Sequence, residues 1–362
     1  MNWVEYFEQV LKVRRGGPEM TLGIGDTVVE NARSVDEWTV KASALREIFT
    51  LMLGKPPEKY SCPLDPRIED EIDQGTYMKR IVSYNVGPAE RIRAYVLIPH
   101  NKPFPRPAVL TIHPTTPFGK EQVVGNDPSP QGRDQSYGLH LVERGYITFS
   151  YDLLSANERI YPGLKPFSTD PFYRDFPNWS VRGKDMWDIS RAIDVLETIP
   201  QVDIARIGSI GHSQGGGITI DAMALDPRIK AGVNNCGDWP SRLYKNPFVR
   251  ARTGWWIGMP NLRPFCWSGK DYPIDLHEKM ALAAPRPLLN LTALNDWGFG
   301  LDEEPVTRPC LEAMAASVKK VYELYDCPQN FESVLHGDGH CFAEHHRRIA
   351  YAFLDHHLQP NI

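Results

Sequence analysis

Ser213 stands in Gly211-His212-Ser213-Gln214-Gly215, a Gly-x-Ser-x-Gly run, and a serine hydroxyl in that setting can do covalent chemistry. The run lies between an apolar stretch, Arg206 to Ile210, and a helix-like stretch, Gly216 to Leu225. A strand that turns sharply into a helix lifts the serine clear of the sheet, and a glycine two residues to either side lets the neighbouring backbone pass without a Cβ clash. The serine then sits at the positive end of a helix, where the backbone N–H of Gln214 points to the place an oxyanion would form. The reading is a nucleophile elbow.

A serine hydroxyl attacks poorly unless a base takes its proton, and the base must be held by an acid, so the elbow predicts a downstream Asp or Glu and then a His. Asp296 follows the strand-like Pro287 to Thr292, in the turn Ala293-Leu294-Asn295-Asp296. Asp238, at the end of the preceding strand, is its main rival, with Asp302, Glu303 and Glu304 behind. For the base, Gly337-Asp338-Gly339-His340 follows the strand-like Phe331 to Leu335 and precedes the final helix, Ala343 to Leu358. His336 takes the role if that strand ends sooner, whereas His345, His346, His356 and His357 fall on helix and read as solvated surface. The histidines of this tail invite a metal reading, but they lack His-Glu-x-x-His spacing and have no cysteine partners at finger spacing, so metal is a minor alternative and no metal ligand is assigned.

The loop His113 to Lys120 follows the first core parallel strand, the place for a second oxyanion donor. Pro114 has no N–H to give, so Thr115 is the candidate partner of Gln214.

These residues need a sheet edge to gather them. Residues 1 to about 70 read as helical, with a pattern through Ala42 to Phe49 that stops at Gly54-Lys55-Pro56-Pro57. From Thr76 the period becomes strand-like, with Met78 to Asn85 and Arg91 to Pro99 as an antiparallel pair. Ala108 to Ile112, a helix Gly138 to Arg144, Tyr146 to Tyr151, a helix Gly183 to Thr198, the elbow strand, Ala231 to Cys236 and Pro287 to Thr292 then alternate strand and helix. Repeated β-α-β units imply an α/β fold, a mostly parallel central sheet with helices on both faces. The expected organisation is a helical extension over 1–74 and a catalytic domain over 75–362. Within the latter, 238–284 is an aromatic-rich insertion too long for a plain connection. There is no internal repeat.

The chain of 362 residues is 42% hydrophobic and 23% charged, enough for one large α/β domain with additions. Its net charge of −5 with no block of like charge offers no surface to nucleic acid or an anionic membrane, so the expected partner is a small molecule. The first residues lack a basic and apolar leader, and no segment approaches the length of a membrane span. Six cysteines without a C-x-x-C pair fit free thiols, and the expected location is cytoplasmic.

The chain resembles the α/β-hydrolases of the dienelactone hydrolase and acetyl xylan esterase group. Gly211 to Gly217 is similar to the Ser-Gln-Gly-Gly signature of acetyl xylan esterases and cephalosporin C deacetylases. His113 to Lys120, Tyr137-Gly138, Glu143 to Tyr146 and Glu158-Arg159 resemble a bacterial xylan-esterase-like branch. The likeness covers roughly residues 75 to 362. It departs from the family at His113-Pro114, where His-Gly is usual, and at Cys341, where the deacetylases carry Glu after the histidine.

The expectation is thus a serine carboxylic-ester hydrolase without cofactor: Ser213 attacks, His340 is base then acid, Asp296 fixes the imidazole, and Gln214 and Thr115 stabilise the oxyanion. The aromatic insertion, folded over the mouth of the site as a cap, is expected to narrow the pocket and favour short-acyl, acetyl-type esters, and the resemblance adds carbohydrate esters. His113 and Arg159 are candidate substrate contacts, Arg159 alternatively bracing a loop with Glu158. Trp239, Trp255, Trp256 and Trp267 are expected to wall the pocket as a cap, or else to serve as extra core or a homo-oligomer contact. Alternatives on the same fold are a peptidase or amidase, for which there is no room for a propeller before Met78, a carbon–carbon bond hydrolase, and a ligand-binding protein that has lost turnover.

Overall fold

The computed structural model describes residues 32–100, 103–240, 257–268, 272–296 and 304–359. Nine strands form one sheet: β1 (Arg67–Asp73), β2 (Tyr77–Gly87), β3 (Glu90–Pro99), β4 (Arg106–Ile112), β5 (Ile147–Tyr151), β6 (Val202–His212), β7 (Ile229–Asn235), β8 (Leu288–Ala293) and β9 (Phe331–His336). Their order is β1-β2-β3-β5-β4-β6-β7-β8-β9. β1, β2 and β3 run antiparallel to their neighbours, and everything from β5 to β9 is parallel.

The parallel strands read as near-continuous apolar runs because both faces are covered. Along β4, Ala108, Leu110 and Ile112 face one core cluster and Val109 the other, the period of two that a pleated strand imposes. The first cluster takes its helical side from α1 (Val35–Leu53), α3 (Val181–Glu197), α4 (Gln214–Leu225) and α5 (Glu304–Leu324). The second takes it from α2 (Tyr137–Glu143) and α6 (Glu344–Leu358).

Helix α1 starts where Ser34 accepts the N–H of Glu37 and ends at Gly54, whose φ of 75° an L side chain resists. Trp38, Ala42, Leu45, Phe49 and Met52 recur at helical spacing and are buried in the main core. Helix α1 is therefore packed into the same core as the sheet.

Residues 67–73, expected as the end of the helical extension, instead form β1. Ile68 and Ile72 are four apart, a spacing that puts two residues on one side of either a helix or a strand. Strand pairing with β2, Arg80 on Glu71 and Arg93 on Glu69 decide for the sheet. Every residue of β1 is exposed, and its charges suit an edge that must not recruit another strand.

Register brings the parallel strands to a common edge. Ile112 lies opposite Gly211, His212 opposite Asn235, and Ala293 opposite His336. Loops leaving these ends open over one crevice, where open α/β sheets place their ligands.

Candidate active site

Ser213 has φ 53° and ψ −123°, a backbone conformation that a side-chain-bearing residue adopts only under constraint. Its N–H donates to Asn235 O at 2.8 Å and its carbonyl accepts the N–H of Gly217 at 3.1 Å, which pins the turn between β6 and α4. The flanking glycines answer to backbone contact. A Cβ on Gly211 would stand 2.2 Å from the carbonyl carbon of Gly215, and one on Gly215 would stand 2.1 Å from Ile112 O.

Gly215→Ala tests this. Helix propensity alone favours alanine by about 1 kcal/mol. Here the obstructing atom is backbone and cannot swing aside, so overpacking of about 1–3 kcal/mol wins. Thermal denaturation should show a lower melting temperature; a rise would mean that the elbow is looser than these contacts imply.

His340 lies in the loop after β9, with Nε2 2.8 Å from Ser213 Oγ and Nδ1 2.9 Å from Asp296 Oδ2. A carboxylate can only accept, so Nδ1 carries the proton and the free electron pair of Nε2 faces the serine. Asp296 is wholly buried, beyond the end of β8. Asp238, its rival, is buried with Oδ1 accepting the N–H of Trp239 at 2.8 Å, and Asp302 and Glu303 lie outside the described residues. The other candidate base, His336, ends β9, with Nε2 3.7 Å from Cys236 Sγ.

Two supports were not singled out in the sequence. Asn295 Nδ2 donates to Gly337 O at 2.8 Å and its Oδ1 accepts the N–H of Gly339 at 2.9 Å, tying the His340 loop to the Asp296 turn. Its position beside Asp296 was the available signal. His212 lies against the His340 ring, centroids 4.7 Å apart. Asn235 Nδ2 is 2.6 Å from His212 Nδ1 and also donates to Cys341 O at 2.9 Å. Burial, then the neighbouring His340, hold the His212 imidazole well below the ordinary histidine range. It stays neutral and does not oppose a positive charge on His340.

Gln214 opens α4, so its N–H is one of the helix's unpaired donors. Thr115 Oγ1 donates to Gln214 Oε1 at 3.2 Å, which brings the two expected oxyanion residues together. Cys236, also close by, is no nucleophile: burial, then the Asp296 carboxylate, push its thiol well above the usual thiol range.

Residues 184–238, spanning the elbow, match the family model for acetyl xylan esterase. A glucuronoyl esterase from Solibacter usitatus superposes with a TM-score of 0.71 at 21% identity, over 93% of this chain and 98% of that one. A candidate acetyl xylan esterase from Bacteroides fragilis does so with 0.65 at 19%, over 93% and 83%. The chain has the α/β-hydrolase fold, and its elbow segment is similar to acetyl xylan esterases. In sequence, the chain is 25% identical over 266 residues to the candidate hydrolase YtaP of Bacillus subtilis, covering 71% of this chain and 82% of that protein. It is 29% identical over 170 residues to the carbohydrate esterase MZ0003 of an unknown prokaryote, 45% of this chain and 38% of that one. No helix among the described residues is long and apolar enough to cross a membrane.

Two other expected contacts, His113 and Arg159, are engaged within the fold itself. His113 is fully buried: its Nε2 accepts the N–H of Leu153 at 2.9 Å, leaving Nδ1 to donate to Pro114 O at 2.7 Å. Both nitrogens hold backbone, so the ring shapes the Thr115 loop and presents no polar atom to a substrate. Arg159 reaches Asp152 O at 2.8 Å, Glu90 at 2.5 Å and Asp188 at 2.9 Å, with Glu90 in place of the expected Glu158. Glu158 instead pairs with Lys120 and Arg93. Arg159 thus braces the loop after β5 against the β2–β3 hairpin and α3.

The insertion also departs from a pure cap. Trp239 is 1% exposed in the main core, bordering a small cavity with Met259, Leu262 and Tyr272. Trp267 is 69% exposed. Trp255 and Trp256 lie outside the described residues. Phe265, Leu276 and Met280 pack in the same core as Trp239, so this described part of the insertion is extra core.

Proposed function

We propose that Ser213, His340 and Asp296 are the catalytic triad of an esterase for short-acyl, acetyl-type esters, including carbohydrate esters. The observation that carries the reading is the His340 imidazole standing between serine and buried carboxylate, 2.8 and 2.9 Å away. Ser213 Oγ attacks the ester carbonyl while Nε2 takes its proton. The tetrahedral oxyanion is met by the N–H groups of Gln214 and Thr115, and Nε2 returns the proton to the leaving alcohol. Water then attacks the acyl-enzyme by the same route, and no cofactor takes part. The acyl preference is supported by the acetyl xylan esterase match across the elbow, since Trp239 and Trp267 supply no wall for a narrow pocket. Six free cysteines support a reducing, cytoplasmic setting.

Rates on 4-nitrophenyl acetate, butyrate and octanoate, with acetylated xylan and a methyl glucuronate ester alongside, test the substrate. Acetyl should exceed octanoyl by about tenfold or more, the scale on which a pocket discriminates added methylenes. Faster cleavage of octanoate would overturn the acyl preference. Faster cleavage of the glucuronate ester would move the substrate to the activity named for the Solibacter usitatus relative.

A further inference from the structure

Beneath the His340 loop lies a second cluster that the esterase chemistry does not use. His336 closes β9, Asp338 is two residues on, and His345 and His346 stand in the first turn of α6. Three imidazoles surround one carboxylate oxygen: Asp338 Oδ2 is 2.9 Å from His345 Nε2, 3.4 Å from His346 Nε2 and 3.9 Å from His336 Nδ1. The rings of His336 and His346 are 3.9 Å apart between centroids, and those of His345 and His346 4.0 Å. One donor atom each from His336, Asp338 and His346 lies within 4.8 Å of the other two.

Around a tetrahedral ion with bonds of about 2.0–2.1 Å, donor atoms stand roughly 3.3 Å apart, against 3.4 and 3.9 Å from Asp338 Oδ2 to the His346 and His336 nitrogens. The two inner imidazoles are already dry, His336 at 8% and His346 at 2% exposure. His346 turns its Nε2 into the cluster, 3.4 Å from Asp338 Oδ2, and no partner among the described residues holds its other nitrogen, Nδ1, in a particular tautomer. Hydrogen bonding accounts poorly for the third ring. His336 Nδ1 accepts the N–H of Asp338 at 3.4 Å, so its electron pair and the carboxylate oxygen, both acceptors, are left side by side. A cation between them reverses that repulsion. Imidazole and carboxylate together suit zinc, whereas magnesium and calcium prefer all-oxygen sets.

The geometry points to a zinc-binding site formed by His336, Asp338 and His346, with His345 or water in the fourth place, that fastens the loop carrying His340 to the start of α6. Its two histidine ligands flank residues 337–345 and Asp338 lies within them, so bound metal would tie β9, the loop and the helix at one point. This inference stands apart from the triad, since it concerns metal affinity and not ester cleavage.

The full chain, free of any polyhistidine tag and stripped with EDTA, is titrated with zinc chloride in a calorimeter and melted with and without one equivalent. One zinc per chain and a higher melting temperature are expected, with no comparable effect of magnesium or calcium. Asp338→Asn and His346→Gln should each weaken zinc binding on the order of 100-fold or more, while His356→Gln, at the far end of α6, should not. Asp338 is exposed enough for its variant to fold if that of His346 does not, and near-UV circular dichroism reports on both. Less than about half an equivalent bound overturns the proposal. So does full binding that survives Asp338→Asn, or that is lost instead in Cys236→Ala, which would place the metal on Cys236, Asp296 and His340.

Discussion

Ser213→Ala is expected to lower kcat on an acetyl ester by about 10³-fold or more while the melting temperature stays within a degree or two of the parent. The hydroxyl is the only atom removed. The strained backbone at φ 53° is held by the hydrogen bonds of the Ser213 N–H and carbonyl, both of which alanine keeps. What disappears is the covalent route, leaving the oxyanion donors and substrate binding as residual catalysis. A fluorophosphonate probe should label the parent and leave the variant unlabelled. A variant that keeps most of its turnover in a contaminant-free preparation would refute the assignment of the nucleophile.

Asp296→Asn should cost nearly as much, about 10³- to 10⁴-fold in kcat, with little change in KM. The reason is the direction of one hydrogen bond. The buried carboxylate accepts from Nδ1, which leaves the electron pair of Nε2 toward Ser213 Oγ. An asparagine that turns its amide N–H to Nδ1 favours the opposite tautomer, in which Nε2 carries a proton and cannot take another. The control is Asp238→Asn, whose carboxylate serves the N–H of Trp239. Its kcat should stay within severalfold of the parent, and a larger loss there than at Asp296 would transfer the role of the acid.

The elbow was legible because everything that makes it lies within a few residues: a strand, a turn whose glycines avoid each other's backbone, and a helix. Asp296 and His340 were legible for a less local reason, since alternating strands and helices predict which loops meet at one edge. Beyond that, sequence patterns weakened as the partners grew more distant. Arg159 was placed beside Glu158, its neighbour, whereas its ion pairs are with Glu90, 69 residues away on the β2–β3 hairpin, and with Asp188 on α3. The aromatic insertion said that large rings must be buried and not where; Trp239 went to the core and Trp267 to solvent. His113 carries the same lesson, because a histidine next to an expected oxyanion loop looks chemical until both its nitrogens are seen holding backbone. The histidines of α6 were read as surface from helical position alone, yet β9 and its loop cover His346.

The three residues brought together at the crevice are far apart along the chain: His340 is 127 positions after Ser213 and 44 after Asp296. Among the described residues its strand, β9, lies at the edge of the sheet and pairs with β8 alone. During synthesis the elbow can therefore be complete while His340 is still inside the ribosome, and under the proposed triad the serine meets its base only when β9 and α6 dock. On that reading a nascent chain that has not reached β9 carries an unactivated serine, and the order of the residues keeps it from hydrolysing esters.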